Sequence, residues 1–387
     1  MELDRRAYWV WLQHALGAGS SKQNRILTDY PSLADFYSAG MEGWLLEGYF
    51  TGGELDRLQS FSPTDAAALI EYSEKIGQQV LTPECAAYPE PLRSIHNPPC
   101  ALYVKGTLPD FTCVPSISIV GTRKATATGT AAARSFAYEL AKQGTVIVSG
   151  GALGIDTAAH SGALQAGGKT VCVLGCGIDY NYLMCNAPLR EAITRSGAVV
   201  SEYPPNTQPT SSNFPIRNRI ISGLSLGTLV IEAAGKSGSL ITADYALEQG
   251  RDVFAVPGGI YSPVSQGVNN LIKSGAKPVS CAGEILEEYL GRFADKISLE
   301  DSSANVVVNP EPENLQKPDE TVQPLNPEDF SQEAITLHSA LSKLPCHISE
   351  LARLTGIPMK NLLTAVTELE LAGKIRSHSG RRYSLPR

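Results

Sequence analysis

The chain predicts an α/β fold: a doubly wound parallel sheet with an N-terminal helical module and a C-terminal winged helix. Three observations predict it. Seven β-branched or apolar runs recur at 116–121, 145–149, 169–175, 198–202, 227–232, 252–256 and 276–280, each separated from the next by a helical stretch. Strands alternating with helices form parallel sheets that bind ligands at the strands' carboxyl ends. Before them, residues 1–80 read as short helices broken at Gly17-Ala-Gly19, Pro31 and Gly52-Gly53, with Trp9, Trp11, Leu12, Phe36 and Trp44 as a small core. After them, 331–387 reads as helices at 334–344, 348–354 and 359–371, then a hairpin of 374–377 and 383–385 around Ser379-Gly380-Arg381. Three helices followed by a basic hairpin is the winged-helix pattern.

Four segments follow: a helical module at 1–80, of helix-hairpin-helix or sterile-alpha-motif kind, the sheet domain at 81–293, a linker at 294–330 and the winged helix at 331–387. The sheet domain opens on a proline-rich stretch containing Tyr88-Pro89 and Asn97-Pro-Pro99. The linker is acidic and proline-rich, a composition that stays extended because it has little apolar surface to bury. At 387 residues, 43% hydrophobic and 18% charged, the chain has the composition of a soluble globular protein. No signal-peptide pattern or membrane-length apolar run is present, and the eight cysteines include no CxxC pair. A reduced, cytoplasmic protein without a metal site or disulfide framework is expected.

The net charge of −7 taken alone argues against nucleic acid, but its distribution does not. Residues 115–280 hold 13 Lys/Arg against 9 Asp/Glu, and 331–387 hold 8 against 4, so each is +4. The acid lies in 1–114 and 281–330. Local charge decides phosphate binding.

Several turns at strand ends suit anions. Asn213-Phe-Pro-Ile-Arg-Asn-Arg219 carries Arg217, Asn218 and Arg219 at the start of a helical run, and Ser237-Gly-Ser239 with Thr242 opens another helix after a strand. A helix start offers unpaired N–H groups and the positive end of the macrodipole, and arginines add forks for phosphate oxygens. Gly235-Lys-Ser237 ends like a Walker A loop, but Val230 stands where its first glycine belongs, so no ATP-binding loop is predicted. Lys236 is either a phosphate contact or a solvated loop lysine. Gly121-Thr-Arg123 ends the first strand and offers Arg123 as a phosphate clamp. Ser149-Gly150-Gly151 and Gly154 follow the second and could form an anion nest, but Ser149 breaks the dinucleotide GxGxxG pattern. Gly175-Cys-Gly177 lacks the third glycine, where Tyr180 stands as a possible stacking surface. Asp156 reads as a helix cap; His160 either pairs with it as an acid–base couple or packs against its helix. Glu202 and Glu232 are either a general acid and base or the carboxylates that hold Arg217 and Arg219, the second being preferred. Phe214 is a stacking face for a base or a core residue.

These blocks resemble the DNA-processing protein A (DprA/Smf) family from about Tyr88 to Ala282. The resemblance rests on Tyr88-Pro89, Val120-Gly-Thr-Arg123, Ser149-Gly150 with Gly154-Ile-Asp156, Phe214-Pro215, Arg217-Asn-Arg219, Ser237-Gly-Ser239, Gly250-Arg251 and Pro257-Gly258, in order. It implies an extended Rossmann-like domain that binds single-stranded DNA, loads a RecA-type recombinase during natural transformation, and forms a homodimer without enzymatic turnover or cofactor. Dimerisation is expected around 267–290, through Val268, Leu271, Ile272, Ile285, Leu286 and Tyr289. Two other classes compete. A nucleoside monophosphate hydrolase would show Pro-Gly-Gly-x-Gly-Thr, but Ile260-Tyr261 follows Pro257-Gly-Gly259. A transcription regulator would read DNA through the third C-terminal helix, whose Glu368 and Glu370 suit a groove poorly.

Overall fold

The computed structural model describes residues 3–293, 330–341, 346–378 and 382–385. The chain divides into two compact units, Met1–Asn305 and Val306–Arg387.

Five helices open the first unit: α1 (Arg6–Leu16), α2 (Lys22–Asp29), α3 (Leu33–Leu46), α4 (Gly52–Ser60) and α5 (Pro63–Lys75). Thr51 and Ser62 start α4 and α5 with reciprocal capping boxes to Glu54 and Asp65, which satisfy amides that a helix start leaves open. Trp11, Phe36 and Trp44 pack together inside this module.

The sheet follows. Its strands are β1 (Gln79–Leu81), β2 (Leu102–Gly106), β3 (Ser116–Val120), β4 (Val146–Ser149), β5 (Thr170–Leu174), β6 (Ala198–Ser201), β7 (Gly227–Val230), β8 (Asp252–Ala255) and β9 (Lys277–Pro278). Between β1 and β2 lies the short α6 (Glu90–Arg93); the later connections carry α7 (Ala127–Lys142), α8 (Ile155–Gln165), α9 (Ala187–Ser196), α10 (Asn213–Gly223), α11 (Gly238–Glu248) and α12 (Gln266–Lys273), and α13 (Gly283–Leu286) and α14 (Leu290–Phe293) close the unit. All seven predicted strands are present. β1 and β2 extend the sheet by antiparallel pairing, β2 against β6; they were not expected, because both are short and lie in or beside the proline-rich stretch.

Alternation along each strand builds two core layers. Val146 and Val148 face α10 and α11, whereas Ile147 faces α7 and α8. The strand order is β1-β2-β6-β5-β4-β3-β7-β8-β9. The chain therefore leaves β3 in one direction and returns on its other side as β7, which makes the carboxyl ends of β3 and β7 the topological switch point.

Burial overturns one expectation. Val268, Ile285, Leu286 and Tyr289 are core residues, so they cannot form the expected dimer patch; Leu271 and Ile272 are half-buried.

The second unit consists of α15 (Gln332–Ala340), β10 (Cys346–His347), α16 (Ile348–Thr355), α17 (Met359–Leu371), β11 (Arg376–His378) and β12 (Arg382–Ser384), with strand order β10-β12-β11. This is a winged helix around Leu337, Leu351, Leu362, Val366 and Leu369. The hairpin tip with Arg381, and the linker at 294–329, lie outside the described residues. Among the described residues no helix is long and apolar enough to cross a membrane.

Candidate nucleic-acid interface

A cavity of about 420 Å³ opens at the switch point. The turn after β3 supplies Gly121, Thr122 and Arg123, α10 supplies Phe214, Arg217 and Asn218, and the start of α11 supplies Ser237, Gly238, Ser239 and Thr242. These ten predicted residues, separated by as many as 121 positions, form one wall.

Each is held by ordinary forces. The Thr122 N–H donates to the Glu232 carbonyl at 2.8 Å, tying the β3 turn to the strand beside it. Ser237 caps α11, accepting from the Ser239 N–H at 3.4 Å. The Asn218 side chain donates to the Gly238 carbonyl at 3.2 Å, joining the starts of α10 and α11. The amino end of an eleven-residue helix thus points its dipole into the cavity.

Arg217 is the central group. Its side chain is buried, and one guanidinium nitrogen donates to the Val173 carbonyl at the end of β5, at 2.7 Å. Its Nε has no partner, and among the described residues it forms no ion pair. Burial pushes its pKa down, against the pull of the Asp156 carboxylate farther away. Gly150 makes this placement possible: a Cβ there would meet the Arg217 guanidinium at 1.9 Å. Arg123 is exposed, its guanidinium 5.0 Å from the centre of the Phe214 ring. Tyr182 also packs on Phe214, the ring centres 5.5 Å apart and the planes tilted by 38°.

Other predicted residues stand elsewhere. Arg219 points away from the cavity, because residues two apart on a helix lie about 200° apart. It is buried against Glu202 at 2.6 Å, whose Oε1 also accepts from the Gly19 N–H of the N-terminal module. Glu202 therefore holds Arg219 as preferred, but Glu232 does not hold Arg217. Its carboxylate instead takes the Thr126 N–H and hydroxyl at the start of α7. Ser149 is buried and donates to the Ile119 carbonyl at 2.7 Å. Gly150, Gly151 and Gly154 do not line the cavity, whereas Ala152 and Asp156 of the same segment do. Asp156 accepts from the Ala152 N–H at 3.2 Å. Asp156 is thus inside α8 rather than at its cap, and burial raises its pKa. His160 bonds Thr170 at 2.7 Å instead of Asp156, and burial pushes it down to about 3. Lys236 is exposed outside the cavity wall.

Of the two tyrosines in this loop it is Tyr182, not the Tyr180 singled out from the sequence, that packs on Phe214. Nothing local distinguishes the two; the approach of α10 selects the ring that meets Phe214.

Comparison with known proteins gives a consistent picture. Residues 79–290 match the family model for DNA recombination-mediator protein A, and 319–381 match a DprA winged helix domain. Protein Smf of Synechocystis is 32% identical, the alignment covering 99% of each chain. The DNA processing protein DprA of Bacillus subtilis is 41% identical over 60% of this chain and 78% of its own. Among solved structures, DNA processing protein A of Streptococcus pneumoniae superposes with a TM-score of 0.58 at 34% identity, over 74% of this chain and 99% of that one. The protein from Helicobacter pylori, described for its single-stranded DNA binding mode, superposes with a TM-score of 0.50 at 31% identity, over 55% and 96%.

Proposed function

The chain belongs to the DNA recombination-mediator protein A family, and from that premise we propose that it binds single-stranded DNA through its sugar–phosphate backbone at the switch-point cavity. The observation that carries this reading is Arg217, a buried cation without an ion pair among the described residues, facing a cavity shared with exposed Arg123, the start of α11 and the Asp156 carboxylate. A phosphate oxygen would give Arg217 the direct ion pair it lacks. The Phe214–Tyr182 pair beside it offers the π-face that a strand's bases need, and stacking does not discriminate among bases.

The fuller reading is a cytoplasmic mediator that protects incoming single-stranded DNA and passes it to a RecA-type recombinase, acting as a homodimer without turnover. The use of the edge carboxylates supports a binding role over nucleotide hydrolysis: Glu232 serves Thr126 and Glu202 serves Arg219. In the winged helix, Asn361 of α17 donates to Glu333 and Glu368 accepts from Ser331, which favours a structural use of that face over groove reading.

A salt titration with single- and double-stranded oligonucleotides tests the proposal. Tighter single-strand binding, with one salt slope across base compositions and no base released from added nucleoside monophosphates, is expected. Preference for duplex, or release of bases, would sink it.

A further inference from the structure

A second cavity, of about 210 Å³, lies at the opposite edge of the sheet. Ser116, Leu226 and Arg251 line it, and they open or immediately precede β3, β7 and β8. It is therefore at the strands' amino ends, across the sheet from the switch point. Arg292 of α14 completes it.

Its two guanidinium groups lack partners of opposite charge. Arg251 is half-buried; its Nε has no hydrogen-bond partner, and Nη2 reaches only the Pro91 carbonyl at 3.4 Å. Among the described residues neither Arg251 nor Arg292 forms an ion pair. The nearby carboxylates already have partners. Glu90, in the cavity wall, pairs with Arg93 at 2.7 Å, and Asp252 accepts from the Tyr289 hydroxyl at 2.7 Å. Burial first, then the like charge of Arg292, pushes the Arg251 pKa down. Half-buried Arg251 and exposed Arg292, neighbouring cations without an ion pair of their own, are neutralised by a bound anion.

Ligand class follows from shape and size. Guanidinium forks match the oxygens of phosphate. At about 30 Å³ per water, the cavity has space for one phosphate group with a few waters. We propose that it is a second phosphate-binding site, in which Arg251 and Arg292 hold one phosphate group between them. The phosphate belongs either to a small phosphorylated molecule or to a DNA backbone; both present the same oxygens. The site does not depend on the reading of the first cavity.

Arginine-selective modification by phenylglyoxal, read residue by residue by mass spectrometry on the full chain, tests it. Inorganic phosphate should slow modification of Arg251 and Arg292 several-fold relative to chloride at equal ionic strength. The protection should persist in Arg123→Ala. In Arg292→Gln, a surface change compatible with folding, protection of Arg251 should fall several-fold. A second arm replaces phosphate with oligonucleotides. Protection by long single strands, with Arg292→Gln weakening long strands more than short ones, identifies a DNA backbone as the source; protection by phosphate but not DNA identifies a small ligand. Equal modification rates in chloride, phosphate and DNA would overturn the proposal.

Discussion

Arg217 and Arg219 lie two positions apart in α10 yet face opposite tasks. Arg219 and Glu202 are a fully buried pair, and removing one partner of such a pair leaves an uncompensated charge. Arg219→Met should therefore destabilise the protein by about 3–5 kcal/mol, measured by urea denaturation; a variant within 1 kcal/mol of wild type (roughly the scatter of a surface change) would mean that water already solvates the pair. Arg123 is exposed and forms no ion pair among the described residues, so Arg123→Ala should leave stability unchanged. It should weaken single-strand binding equally across base sequences and reduce the salt slope by about 0.7, the contribution of one phosphate contact. An unchanged slope in the folded variant removes Arg123 from the interface. His160 adds a pH dependence. Its pKa falls from an ordinary 6.5 to about 3 on folding. Between those values the unfolded chain binds a proton that the folded chain refuses, so stability is lost as pH falls through this window, by up to about 1.4 kcal/mol per pH unit. His160→Asn, which can keep a bond to Thr170, should flatten that acid limb in denaturation curves collected from pH 7 to pH 4. An equally steep limb would assign the acid sensitivity to carboxylates.

At the level of elements, the strands were legible because each is a short β-branched run bounded by turn residues, and the parallel order followed from the helices between them. β1 and β2 were not legible: a three-residue strand has too little pattern to count, and β2 is recognised only by its pairing with β6. The cavity wall was readable where a turn directly follows a strand, as at Arg123 and Ser237. It was unreadable where a helix's rotation decides, since no local pattern in Arg217-Asn-Arg219 says which arginine faces the sheet edge. The Ser149–Gly154 turn shows the same limit: its glycines were read as an open nest, but the Asp156 carboxylate takes its Ala152 N–H and Gly150 serves Arg217. This relation between turn and helix is testable. Gly150→Ala places a methyl group where the Arg217 guanidinium sits, so it should impair single-strand binding about as much as Arg217→Met does, although it alters no charge. Measured binding equal to wild type would show that Arg217 can move without loss. Phe214→Leu, which keeps apolar packing but removes the π-face, should cost about 1–3 kcal/mol if one base stacks there.

For the whole molecule, self-association was expected through residues that the structure buries, so we propose a different surface for it. Leu286 is buried in the core, so Leu286→Glu would unfold the first unit rather than release a folded monomer. Apolar groups beside α12 outside the buried core include Ile272, half-buried in the wall of a surface groove, and Ile260 in the same wall; Ile260 is 82% exposed, and Tyr261 next to it is 94% exposed. Two large apolar side chains this bare on one loop suit contact with another apolar surface. A symmetric contact at this loop would place two switch-point cavities in one particle, and a strand long enough to reach both would gain effective concentration without any new contact. Ile260→Glu cannot create a buried charge in the monomer, because the side chain is already in solvent there, so its effect on assembly can be separated from folding. The expected result is a folded protein with wild-type stability that sediments as a monomer, binds short oligonucleotides as wild type does, and loses affinity for long ones by a factor of about ten or more, within the range that avidity supplies. A chain ending at residue 293 should behave like the full chain in these assays, since every residue lining the cavity precedes that point. Wild-type protein that sediments as a monomer at micromolar concentration, with and without DNA, would rule out the dimer and leave the exposed Ile260–Tyr261 loop to a different partner.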